Sequence, residues 1–135
     1  MNKLKTAAAI LGVLAGLMGA SHGPGEILQG NVAPNGIMIM AWPQLTSSAL
    51  AGEPAVTVIP SFLVAGIFTI IVAALLVTWA GTCMGRKQGG LLLILLSLVM
   101  LAIGGGVVPP LFGIAAGIIG VMNNYKTTVK RGETA

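Results

Sequence analysis

The chain has 135 residues, 56% of them hydrophobic and 7% charged, and carries seven Lys or Arg against three Glu and no Asp. A soluble domain carries about a quarter of its residues as charge to solvate its surface, and with a mean hydropathy of +0.97 this chain calls for lipid as its main solvent. A soluble enzyme, a disordered tail and a disulfide scaffold are excluded, the last because Cys83 has no second cysteine to pair with.

The basic residues fall in three places: Lys3 and Lys5, Arg86 and Lys87, and Lys126, Lys130 and Arg131. Residues 21–61 contain neither Lys nor Arg and hold Glu26 and Glu53. By the positive-inside rule the three clusters lie on the cytoplasmic face and residues 21–61 outside, so an even number of crossings separates any two clusters. The net charge of +4 implies no nucleic-acid partner, because basic pairs flanking apolar runs form no stripe that a phosphate backbone can follow. The partner it implies is the bilayer with its anionic headgroups.

Residues 6–20 form an apolar run behind a basic start, a pattern shared by a cleavable signal peptide and a transmembrane helix. The apolar character continues to Leu28, and Gly12 with Gly16 and Gly19 with Gly23 form two small-xxx-small pairs suited to close helix contact. A signal sequence has no use for that spacing, so the expectation is a retained helix over about 6–28. Between 29 and 61, the apolar runs 37–42 and 55–59 are bracketed by Pro34, Pro43, Pro54 and Pro60. They predict either a short antiparallel pair or a segment lying in the outer headgroup layer with Trp42 as its anchor, and in function the loop is expected to do no more than cap the bundle.

Residues 62–84 are uncharged and rich in Ile, Val, Leu and Ala; as a helix they reach about 34 Å, enough for a hydrocarbon core of about 30 Å. Gly85, Arg86 and Lys87 mark the cytoplasmic exit, and Trp79 lies near the interfacial belt. The next uncharged stretch, 91–122, is about 48 Å long as one helix, too long for a single crossing. It also has basic clusters at both ends, and the sequence breaks it at Gly104-Gly105-Gly106 followed by Pro109 and Pro110. Prolines suit a helix start and glycines a tight reversal, so two short helices follow, about 91–104 and 109–123, preferred as two thin spans over a re-entrant loop that stops short of the outer interface. The expected fold is all-α: a polytopic bundle of four transmembrane helices with one apolar outer loop, 29–61, a cytoplasmic loop, 85–90, and a cytoplasmic tail, 124–135.

His22, Glu26 and Gln29 share one face of a helix at the outer end of the first span. Polar groups there serve as an interfacial hydrogen-bonding set or as a proton- or ion-responsive pair. A metal site is disfavoured, since one imidazole and one nearby carboxylate fall short of the three or four ligands a transition metal takes. Gly12, Gly16, Gly113 and Gly117 are the leading helix-packing positions, within this chain or against another copy, and Gly66, Ala73, Ala80 and Gly120 repeat the pattern. Cys83 sits at the cytoplasmic edge as a small apolar residue or a site of S-acylation.

The stretches 22–31, 52–54, 86–90 and 104–110 together resemble the pattern of an uncharacterised family of small four-helix integral membrane proteins of prokaryotes. The resemblance covers most of the chain and implies a multi-pass protein of the bacterial plasma membrane, with no activity, ligand or catalytic residue attached. Small multidrug transporters also have four short helices, but their pattern places a carboxylate well inside the first helix, and residues 6–20 hold none.

No catalytic constellation is present: one His, one Cys and no Asp supply neither a nucleophile with its base nor a carboxylate pair. No phosphate loop, dinucleotide fingerprint or zinc spacing occurs, so no cofactor is expected. Two function classes follow. One is a non-enzymatic structural or accessory protein, associating with copies of itself or with a membrane-protein partner. The other is a small transporter or channel with His22 and Glu26 at an outer vestibule. The first is favoured, because the later spans offer only Thr69, Thr78 and Ser97 as mid-membrane polar groups.

Overall fold

In a computed structural model, which describes residues 3–40, 42 and 54–133, the chain is mostly helical. The elements run α1 (Lys3–Ala20), α2 (His22–Leu28), β1 (Met38–Met40), β2 (Pro54–Val56), α3 (Phe62–Cys83), α4 (Gly89–Ile103) and α5 (Val108–Glu133). Pro43, Gly52 and Glu53, on which part of the outer-loop reading rests, lie outside the described residues.

The first span is one rod with a jog. Pro24 has no N–H to give the carbonyl of Ala20 and its ring crowds that oxygen, so α1 ends there and Ser21 makes a tight turn, its N–H on the Met18 carbonyl at 3.2 Å. Helical geometry resumes at once, and the rod from Lys3 to Leu28 is one of two helical segments long and apolar enough to cross a membrane. The other is α3, entered through Ser61, whose extended backbone and hydroxyl cap the Val64 N–H at 3.4 Å. The remaining two expected spans differ in kind. Helix α4 has only 15 residues, about 22 Å, and α5 runs on to Glu133, well past the 109–123 expected. No proline or helix-stopping turn interrupts the sequence after Met122, so the backbone ladder continues beyond the apolar part.

The reversal between α4 and α5 uses glycine conformations that other residues rarely adopt: Gly104 has φ of 120° and Gly106 of 80°. Gly105 donates to the Met100 carbonyl at 3.0 Å to close the end of α4, and Pro109 and Pro110 sit in the first turn of α5, where their missing N–H groups cost little. The two outer apolar runs pair as a small antiparallel ribbon, Met38 opposite Val56, Ile39 opposite Ala55 and Met40 opposite Pro54. Trp42 donates its indole N–H to the Ser21 carbonyl at 2.9 Å, and Gln29 Nε2 reaches the Met40 carbonyl at 3.1 Å. The ribbon is thereby tied over the end of the first rod.

Around the bundle, α1 lies against α3 and α5, and α4 lies against the same two. The glycines of the first rod divide between two partners. A Cβ at Gly12 would run into Ala80 of α3 and crowd Leu93 of α4, one at Gly19 would run into Met100 of α4, and one at Gly16 or Gly23 would run into Val77 and the Ala73 carbonyl, or Ile70 and the Gly66 carbonyl, of α3. Leu93 and Met100, both fully buried, are seven residues apart, as are Gly12 and Gly19, so two turns of α4 seat two knobs in two glycine gaps. On α5, Gly113 receives Ser97 and Gly117 receives Ile94 and the Gly90 carbonyl. Gly12, Gly16, Gly113 and Gly117 thus all pack within the chain.

Outward, the rods present large apolar side chains on every side, among them Leu14 and Leu17, Ile67 and Leu75, Leu95 and Leu98, and Leu111 and Ile118. The basic segments gather at one end: Lys5 lies against Gly85, and Asn124 Nδ2 donates to the Arg86 carbonyl at 2.7 Å. The ribbon and the Gly104 reversal occupy the other, where Val58 N–H meets the Ala102 carbonyl at 3.0 Å.

Because a Cβ at Gly16 would meet α3 backbone, Gly16→Val is expected to lower the thermal midpoint of the detergent-solubilised protein, by about 1–3 kcal/mol of overpacking. Gly81 has open space around it, and Gly81→Ala should leave the midpoint unchanged or slightly raised when both are followed by circular dichroism.

Candidate functional site

Helix α2 is short, but its seven residues carry the chain's main concentration of buried polarity. Gly23 lets α2 approach Gly66 of α3 backbone to backbone, and the next inward position, Glu26, is carried into the space between α3 and the end of α4. Its side chain is fully buried. Thr69 of α3 faces it, with the hydroxyl 3.4 Å from Glu26 Oε2 and 3.3 Å from the Ile103 carbonyl. A hydroxyl has one proton, so Thr69 donates to one of these oxygens at a time. The Ile103 carbonyl also lies 3.3 Å from the Thr57 hydroxyl, which itself accepts the Ile59 N–H at 3.1 Å. Glu26 Oε1 has no hydrogen-bond partner among the described residues.

Gly104 closes the site from above. A Cβ there would overlap the Glu26 carboxylate, and the backbone at φ of 120° disfavours any side chain independently of that overlap. The carboxylate therefore sits under a glycine reversal, between one hydroxyl and a carbonyl at the end of α4.

The three residues singled out by spacing have three different environments. His22 is buried, with Nδ1 3.2 Å from the Met18 carbonyl, one turn back. Glu26 is in the cluster. Gln29 is half-buried and turned to structure, donating to the Gly25 and Met40 carbonyls at 3.2 and 3.1 Å. Thr69 and Gly104, which complete the site, were legible only as a mid-span hydroxyl and a turn glycine; no local spacing links them to Glu26. Of the other mid-span polar groups, Thr78 bonds back to Ala74 at 2.8 Å and Ser97 to Leu93 at 2.8 Å, each satisfied within its own helix. Cys83 is buried, its sulfur 3.3 Å from the Thr82 hydroxyl.

Chemically, the cluster offers a carboxylate, a hydroxyl and a carbonyl, all oxygen. Among the described residues no three His, Cys, Asp or Glu side chains converge on a point, so a softer metal finds no donor set there. No protein-family model, curated protein sequence or solved structure matches the chain.

Gly104→Ala is expected to destabilise the protein by about 1–3 kcal/mol through overpacking and the left-handed backbone. Combining it with Glu26→Ala should recover the steric part, so a double-mutant cycle of thermal midpoints should show coupling; strictly additive effects would mean that Gly104 and Glu26 do not touch.

Proposed function

We propose that the chain is a non-enzymatic integral membrane protein of four spans, both termini cytoplasmic, with a structural or accessory role. The observation that carries this reading is the sealed centre of the bundle. Below the Glu26 cluster the core is Ala73, Leu76, Ala80, Leu93 and Met84, and the Ser97 hydroxyl among them is bound to its own helix. Ion movement needs a continuous file of polar groups or water, and among these described core residues Ser97 is the single polar side chain.

The membrane reading draws on two further features. Apolar side chains face outward from each rod, far more than a soluble monomer exposes. The basic segments collect at one end and the only described internal carboxylate near the other, the asymmetry that orients membrane proteins. Since the glycine faces pack within the chain, contact with a partner or another copy uses the outward apolar faces. Cysteines placed singly at Lys87 and Lys126 in a Cys83→Ala background should both label from the cytoplasmic side alone; labelling from opposite sides would overturn the four-span layout.

A second reading, a small transporter, is favoured by one observation: Glu26 Oε1 is buried without a partner, and a carboxylate kept inside a membrane at such a cost marks a candidate proton or ion site. Proteoliposomes loaded with a pH-sensitive dye distinguish the two. A proton or sodium gradient that persists as in protein-free vesicles supports the sealed bundle. A flux abolished by Glu26→Gln establishes the transporter instead.

A further inference from the structure

At the basic end, a groove of about 410 Å³ opens between the end of α3 and the start of α4. Its head is polar, formed by Arg86, Lys87 and Gln88, and its wall is Trp79 with Leu91 and Leu95. The Arg86 guanidinium lies 6.0 Å from the centre of the Trp79 ring, which holds the cation over the aromatic face. Trp79 is itself anchored, its indole N–H on the Gly89 carbonyl at 2.9 Å.

Among the described side chains, neither cation forms an ion pair with a carboxylate. Glu26, the internal carboxylate whose side chain is described, is fully buried beside Thr69 and the Ile103 carbonyl. Helix α4 also points its positive end at the groove: its first turn contains no acidic residue, and Gln88 makes no side-chain cap. Immediately beyond the charges the surface turns apolar, with Leu91 60% and Leu95 55% exposed. A cationic head continuous with an exposed apolar wall matches one kind of molecule, in which a phosphate is joined to an acyl chain.

We propose that this groove binds one anionic phospholipid per chain, the phosphate held by Arg86 and Lys87 and the upper part of an acyl chain lying along Leu91 and Leu95 against Trp79. The site rests on the membrane-spanning reading, and it adds to that reading a defined lipid with a defined seat. The volume admits the headgroup end of the lipid, and the rest of the chain continues down the outer face of α4.

Native mass spectrometry of the protein in mixed micelles, containing either phosphatidylglycerol or phosphatidylcholine, tests it. One phosphatidylglycerol per chain should be retained at concentrations where phosphatidylcholine is not. Arg86→Gln with Lys87→Gln should weaken that retention about 25-fold, roughly fivefold for each basic residue near an anionic surface. Lys3→Gln with Lys126→Gln removes the same charge from residues that do not line the groove and should leave it unchanged. Equal loss in the two double variants, or equal retention of the two lipids, overturns the site and leaves only diffuse attraction. Carbonate extraction of the same cells separates this from the underlying reading, since a protein released from membranes refutes the spans themselves.

Discussion

The arrangement depends on how closely the helix backbones can approach one another. Under the membrane reading proposed above, lipid gives apolar helices no reason to leave it for each other, so association rests on dispersion contacts made at short range. The first rod meets that demand with its glycines: Gly16 and Gly23 against α3, Gly19 against α4, and Gly12 against Ala80 of α3 and Leu93 of α4 together. One helix thereby organises two others. The pair α4 and α5 is closed by the same means, through Gly90 and Gly117, and the Glu26 cluster exists because Gly23 and Gly66 let α2 sink against α3.

Much of this could be read from the residues, and what could not was nonlocal. The helix positions followed from uncharged runs, and the reversal at Gly104 from glycines set before prolines, because both are signals carried by neighbours in sequence. The small residues of the first rod were visible as a pattern, but that pattern does not say which helix fills each gap; the assignment appears only when Leu93 and Met100 are seen seven residues apart on a facing helix. The extension of α5 was missed because hydropathy marks where a helix leaves the apolar layer and says nothing about where its backbone ladder stops.

The polar residues show the same division. Spacing put His22, Glu26 and Gln29 on adjoining turns, yet it could not separate a side chain that ties down a ribbon from one that is buried without a full complement of hydrogen bonds. Gln29 and Glu26 are three residues apart, and that offset is enough to turn one to Met40 and the other to Thr69. The partner of Glu26 comes from 43 positions away in sequence, and its cover, Gly104, from the far end of another helix.

The hydroxyl of Thr69 sits within reach of two acceptors that belong to different parts of the molecule, a side chain on α2 and the backbone at the end of α4. With a single hydrogen to share, the cluster has two tautomer-like arrangements of equal bond number, interconverted by one torsional swing about the Cβ–Oγ1 axis. Either arrangement leaves one oxygen less well solvated by the protein than the other. The Thr69 hydroxyl therefore links the first rod to the α4–α5 reversal through a single hydrogen that has an acceptor on each side.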